Sequence, residues 1–172
     1  MLAAVPIILL LVHGSQTALW VALGLMIVAE VSDGIDGYVA RRYGQVSAVG
    51  KILDPMADSL YRVSVFTAFA ANRWMPVWMF LIMVWRDVSV SYLRVVAEQK
   101  IGTMSARQSG KLKAVAQGFA QLLVVFVYAM WGPRLAADMQ LVLWSALLIA
   151  TLVTAWSLVD YAVSVIRALK HG

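Results

Sequence analysis

The chain has 172 residues, 62% of them hydrophobic, with no Cys and a formal net charge of +5. Its mean hydropathy of +0.81 excludes an ordinary soluble domain, and the lack of Cys excludes a disulfide framework and thiolate or zinc–thiolate chemistry. In a membrane protein a positive balance is read through its distribution between the two faces, so no nucleic-acid partner is expected.

Taken in order, the chain predicts an all-α integral membrane protein: a single domain over residues 1–172 with six transmembrane helices. Residues 2–12 are apolar but shorter than the roughly 20 residues that span a bilayer. No basic stretch precedes them and no clear cleavage site follows, so they read as the second part of a helix whose beginning is absent rather than as a signal peptide. His13, Gly14, Ser15 and Gln16 predict a turn. A second helix is expected over 17–41, a turn at Tyr43-Gly44-Gln45 and a third helix over 47–71. Asn72 and Arg73 close the third, and Trp74 and Trp78 suggest an interfacial belt. A fourth helix is expected over 76–98, a polar connection over 99–109, a fifth helix over 110–131 and a sixth over 138–167. There is no internal repeat or low-complexity tract.

The stretch from 33 to 58 breaks the apolar pattern with Asp33, Asp36, Asp54 and Asp58. On a helix, Asp33 and Asp36 lie about 60° apart around the axis. Asp54 and Asp58 are an i,i+4 pair, and Gly50 extends their stripe. The small Gly37 and Ala40 leave room beside the first pair for a ligand or a close helix. Carboxylates at membrane depth are costly unless paired or metal-bound, which makes them functional candidates. Clustered carboxylates repel one another, and protonation or a divalent cation relieves this. Oxygen ligands without His or Cys suit Mg²⁺ or Mn²⁺. Two such ions could clamp a phosphate through an in-line displacement. An ion site in a cation channel or carrier would also explain the acids, but not Arg41 or the small residues at their spacing.

Asp33-x-x-Asp36-Gly37-x-x-Ala40-Arg41, eight residues, then Gly50-x-x-x-Asp54-x-x-x-Asp58 resembles the signature of the CDP-alcohol phosphatidyltransferases at every defined position. That resemblance implies transfer of a phosphatidyl group from CDP-diacylglycerol to an alcohol with release of CMP, two divalent cations as cofactors, and a homodimer embedded in membrane lipid. It implies Asp33, Asp36, Asp54 and Asp58 as metal ligands, with Asp58 also taking the acceptor proton. Asp33, Gly37, Ala40, Arg41 and Gly50 would bind CDP-diacylglycerol.

A second set of residues resembles the phosphatidylglycerophosphate synthase branch of that family, whose acceptor is glycerol 3-phosphate. Arg86-Asp87-Val88, Leu93-Arg94, Gly110-Lys111-Leu112-Lys113, Gln117 and Thr154-x-x-Ser157-x-x-Asp160-Tyr161 carry it. Asp87 stands where that branch has Glu, Ala114 where it has Thr, and Ser59 where it has Lys. Arg86, Arg94, Lys111 and Lys113 are the expected contacts to the acceptor phosphate. Inositol phosphate and serine are the alternative acceptors. Lipid headgroups for the lysines, and an Arg86–Asp87 pair, are the alternative roles for the cations. Glu30, one turn before Asp33, is an acid outside the motif.

With six spans, one face collects Arg41, Arg42, Lys51, Lys100, Arg107, Lys111, Lys113, Arg167 and Lys170, and the other has Arg73 and Arg134. The positive-inside rule makes the first face cytoplasmic, on the side of the aspartates. The expected location is a bacterial plasma membrane with the site facing the cytoplasm.

Overall fold

The computed structural model describes residues 4–42, 48–101 and 108–171, and within them the side chains of residues 33, 36–42, 48–55, 98, 101 and 171 fall outside the description. The described residues form six α-helices and no strand: α1 (Ala4–His13), α2 (Gln16–Arg42), α3 (Ala48–Ala71), α4 (Val77–Ile101), α5 (Gln108–Trp131) and α6 (Ala137–His171). The expected helices appear in order. α4 and α5 each take up part of the connection expected over 99–109. The turn expected at Tyr43-Gly44-Gln45 and the cation Arg107 lie outside the described residues.

Local chemistry sets the helix ends. Gly14 has φ +70° and its N–H donates to the Leu10 carbonyl at 3.2 Å, which stops α1. Ser15 then caps α2, its Oγ accepting from the Ala18 N–H at 3.2 Å. α3 ends without glycine: Arg73 itself takes φ +59°. The Trp74 N–H reaches the Phe69 carbonyl at 2.8 Å and the Arg73 N–H the Ala70 carbonyl at 3.1 Å, the paired bonds of a Schellman stop. Trp74 and Phe69 rings lie 5.6 Å apart, supplying the apolar contact of that motif. Gly132, φ +73°, closes α5 through a 2.9 Å bond to the Tyr128 carbonyl.

Side chains tie these ends together. Gln16 Nε2 donates to the Ala129 carbonyl at 2.9 Å, and Asn72 Nδ2 to the Leu11 carbonyl at 2.9 Å. Trp74 stacks on Tyr128 with ring centroids 4.1 Å apart. Each bond satisfies a carbonyl left open where a helix ends. Gln16→Ala and Asn72→Ala are each expected to lower stability by about 1 kcal/mol, read as a fall in Tm of the purified protein.

The main core includes Ile7, Leu11, Met26, Phe66, Phe69 and Leu147, all at or near zero exposure. A second cluster of Val90, Ala97, Tyr161 and Val165 joins α4 to α6. The outer surface is also apolar, with Trp20, Val28, Trp85, Phe119, Leu152 and Trp156 exposed. Among the described residues, α5 and α6 are the helices long and apolar enough to cross a membrane, and α2 offers a shorter apolar stretch, Gln16–Ser32. The uniform set of six spans expected from the sequence is thus met clearly by two. Charged groups such as Glu30 on α2, Arg62 on α3 and Arg86 with Asp87 on α4 dilute the apolar character of the others.

Candidate active site

The aspartate motif is divided between two helices. Asp33, Asp36, Gly37, Ala40 and Arg41 lie on the C-terminal part of α2, and Gly50, Asp54 and Asp58 on the N-terminal part of α3. The intervening residues 43–47 are few, so the two ends cannot separate far. The helical backbone preserves the spacings on which the chemistry depends, i,i+3 on α2 and i,i+4 on α3. Of these residues only Asp58 has a described side chain, and it is exposed. The side chains of Asp33, Asp36, Gly37, Ala40, Arg41, Gly50 and Asp54 lie outside the description. The donor set on the two helices is carboxylate only, which fits a hard divalent cation. Among the described residues no three His, Cys, Asp or Glu side chains converge.

Beside the motif lies an ion pair. Arg62 on α3 meets Glu30 on α2 at two points, Nη1 to Oε1 at 3.1 Å and Nη2 to Oε2 at 3.4 Å. Gln121 Nε2 on α5 donates to the Arg62 carbonyl at 2.8 Å. Gly118, one turn earlier on α5, has no room for a side chain: a Cβ there would lie 2.9 Å from Arg62 Nη1 and 3.4 Å from Glu30 Oε1.

Gln121 is the last of four polar residues at four-residue spacing along one face of α5: Ser109, Lys113, Gln117 and Gln121, all buried. Lys113 Nζ donates to Asp87 Oδ1 at 2.6 Å, and Arg86 Nη1 donates to the same oxygen at 3.0 Å. Arg86 Nε also donates to Ser157 Oγ at 2.9 Å. Gln117 Nε2 donates to Thr154 Oγ1 at 3.0 Å, and Ser109 Oγ to Asp160 Oδ2 at 2.6 Å. Small hydroxyl residues on α6 let that helix approach closely and accept from Arg86 and Gln117, while, among the described residues, the Gln117 and Gln121 Oε1 atoms are buried without a hydrogen-bond partner. Thr154 and Ser157 return their own hydroxyl protons to the Ala150 and Thr154 carbonyls, at 2.7 and 2.8 Å.

The structure therefore brings two of the four expected acceptor cations together. Arg86 and Lys113 share Asp87 in a seam between α4, α5 and α6, so the Arg86–Asp87 pairing weighed from sequence is present. Lys111 is exposed and Arg94 half-buried. Lys111 and Lys113 part because residues two apart on a helix lie about 160° from each other around the axis.

The family model for the CDP-alcohol phosphatidyltransferases matches residues 1–166. The chain belongs to that family. A Treponema pallidum protein named CDP-diacylglycerol–glycerol-3-phosphate 3-phosphatidyltransferase is 33% identical over 112 residues, 65% of this chain and 52% of the relative. A Mycoplasma pneumoniae protein of the same name is 33% identical over 150 residues, 86% of this chain and 66% of the relative. A Streptomyces coelicolor protein named cardiolipin synthase (CMP-forming) is 33% identical over 156 residues, 78% of this chain and 72% of the relative. The chain thus spans between half and two thirds of the length of the first two. For this CDP-alcohol phosphatidyltransferase family member, sequence reasoning singled out Glu30 as an acid but missed its partner Arg62 and the space at Gly118. It also missed Ser109 and Gln121, although their four-residue spacing with Lys113 and Gln117 was available as a signal.

Proposed function

We propose that the protein transfers the phosphatidyl group of CDP-diacylglycerol to the hydroxyl of glycerol 3-phosphate, releasing CMP, at a cytoplasm-facing site in a bacterial plasma membrane. The observation that carries this is the complete aspartate signature, divided at its proper spacings between α2 and α3. The names borne by the Treponema and Mycoplasma relatives support the donor and the acceptor. In this reading all six helices sit in the bilayer and two chains form a homodimer.

Asp33, Asp36, Asp54 and Asp58 would hold two divalent cations, Mg²⁺ or Mn²⁺. When bound, such ions supply charge neutralisation at the pyrophosphate and polarise the reacting phosphorus. Gly37 and Ala40 leave space for the cytidine, Gly50 for the pyrophosphate, and Arg41 meets a phosphate oxygen. The acceptor hydroxyl attacks the phosphorus that bears the lipid, the bond to the CMP oxygen breaks, and the hydroxyl proton passes to Asp58. Of the four cations expected at the acceptor phosphate, Arg86 and Lys113 converge at Asp87, whereas α5 turns Lys111 outward and Arg94 stands apart from that network. Asp87 keeps Arg86 and Lys113 fixed at one oxygen, so those two cations are preorganised and carry less free positive charge than Arg94 and Lys111.

Lys111→Gln and Arg94→Gln are therefore the cleaner probes of the acceptor, because neither residue is locked into the Asp87 network. Each is expected to raise KM for glycerol 3-phosphate by about 10- to 150-fold, the worth of one charge-assisted phosphate contact. KM for CDP-diacylglycerol should change far less. Kinetics with each substrate varied in turn check this, and equal effects on the two KM values would return both residues to a structural or lipid-binding role.

The Streptomyces relative favours a second reading, in which the attacking glycerol hydroxyl belongs to a phospholipid and the product is cardiolipin. Supplying purified protein in turn with glycerol 3-phosphate, phosphatidylglycerol, inositol phosphate and serine, and identifying the lipid formed, separates the readings. Phosphatidylglycerophosphate is the expected product, and cardiolipin alone would overturn the choice of acceptor.

A further inference from the structure

Resting on the phosphatidyl-transfer reading, we infer that the Glu30–Arg62 ion pair, seated against Gly118, is a positioning device that sets α2 against α3 and so aligns the two halves of the aspartate motif. Glu30 precedes Asp33 by three residues, and Arg62 follows Asp58 by four. At those spacings each charged residue shares a helix face with a motif carboxylate, about one turn away. Arg62 thus continues the stripe of Gly50, Asp54 and Asp58.

The pair is a direct side-chain link between these two helices. Among the described residues the α2 and α3 backbones do not pack on each other, and α1 and α5 each pack on both. Arg62 Nη2 donates to Glu30 Oε2 at 3.4 Å, and Nη1 approaches Oε1 to 3.1 Å as an ion pair without the geometry of a hydrogen bond. The Arg62 side chain is 12% exposed and that of Glu30 30%, so the guanidinium is the more enclosed partner. α5 completes the mount, with Gln121 holding the Arg62 carbonyl and Gly118 leaving the space that the guanidinium occupies. Because the pair is neutral overall, it links the helices without adding net charge to a region already crowded with carboxylates. Glu30 and Arg62 act through the motif aspartates and are not themselves catalytic.

The test uses the full chain in phospholipid nanodiscs as wild type, Glu30→Gln, Arg62→Gln, Arg62→Lys and Gly118→Ala. Mn²⁺ binding is titrated by electron paramagnetic resonance without substrate, alongside kcat, both KM values and Tm. Glu30→Gln and Arg62→Gln are expected to weaken Mn²⁺ binding by about tenfold or more, the usual effect of losing a partner that orients metal ligands. kcat should fall in parallel, with KM for glycerol 3-phosphate unchanged. Arg62→Lys keeps the charge and should recover part of the loss. Gly118→Ala displaces the guanidinium and should reproduce a milder form. Should the Gln variants fail to fold, the last two carry the same readouts. Variants that lose Tm but keep wild-type Mn²⁺ affinity and kcat would overturn the inference, as would a wild type that binds no Mn²⁺. A wild type that binds Mn²⁺ but releases no CMP would instead overturn the functional reading, while the Mn²⁺ titrations would still decide the role of the pair.

Discussion

Exhaustive removal of divalent cations is expected to abolish CMP release, and added Mg²⁺ or Mn²⁺ to restore it. The expectation comes from electrostatics. Asp33, Asp36, Asp54 and Asp58 lie on two helix segments joined by a short connection. Like charges brought close together repel, and either protons or bound cations relieve that repulsion. A pyrophosphate donor would add further negative charge to the same place. Without counter-cations the donor would be repelled, and with them it is attracted and polarised. The ligands are all carboxylate oxygens, so Mg²⁺ and Mn²⁺ should restore activity better than soft metals. Dialysis against chelator followed by metal titration, with CMP as readout, measures this. Full activity after complete metal removal would remove the role assigned to the four aspartates.

Asp58→Asn is expected to lower kcat by about 100-fold or more, as loss of a general base commonly does, with the fold retained. Asp58 is exposed on α3 one turn beyond Asp54, so the amide introduces no buried mismatch. Asn cannot take the acceptor proton, and it is a weaker ligand than carboxylate. Two consequences can be separated. If proton transfer dominates, the variant still binds CDP-diacylglycerol and its rate responds to raised pH as hydroxide substitutes for the base. If metal binding dominates, higher Mg²⁺ restores the rate. Retention of more than about a tenth of the wild-type rate would show that Asp58 is not the base.

Much of the fold could be read from the sequence because its punctuation is local. Gly14 and Ser15 stop one helix and start the next through bonds that span three or four residues. Gly132 does the same at the end of α5. Arg73 was legible as a boundary, but not as a residue with positive φ, because Phe69 and Trp74 stabilise that turn by a contact no propensity encodes. The aspartate motif was legible as a spacing. What escaped was tertiary. Nothing local pairs Glu30 with Arg62, thirty-two residues away. Gly118 reads as a small helix residue until the guanidinium beside it is seen. Lys111 and Lys113 invite treatment as one basic patch, yet the helix turns one outward and buries the other against Asp87. The six-span expectation rested on apolar runs long enough to cross a bilayer, and the charges within α2, α3 and α4 are what set those helices apart from α5 and α6.

The most direct test of phosphatidyl transfer is a double-label balance on the purified protein in vesicles. CDP-diacylglycerol labelled in the cytidine and glycerol 3-phosphate labelled in the glycerol are supplied together with Mg²⁺. Released CMP and lipid-extractable glycerol are then counted in the same sample. In-line transfer predicts that one glycerol enters the lipid for each CMP released, with neither product formed when either substrate is withheld. CMP formed without glycerol in the lipid would mean hydrolysis or a different acceptor, and no CMP at all, as for a cation carrier, would contradict phosphatidyl transfer outright.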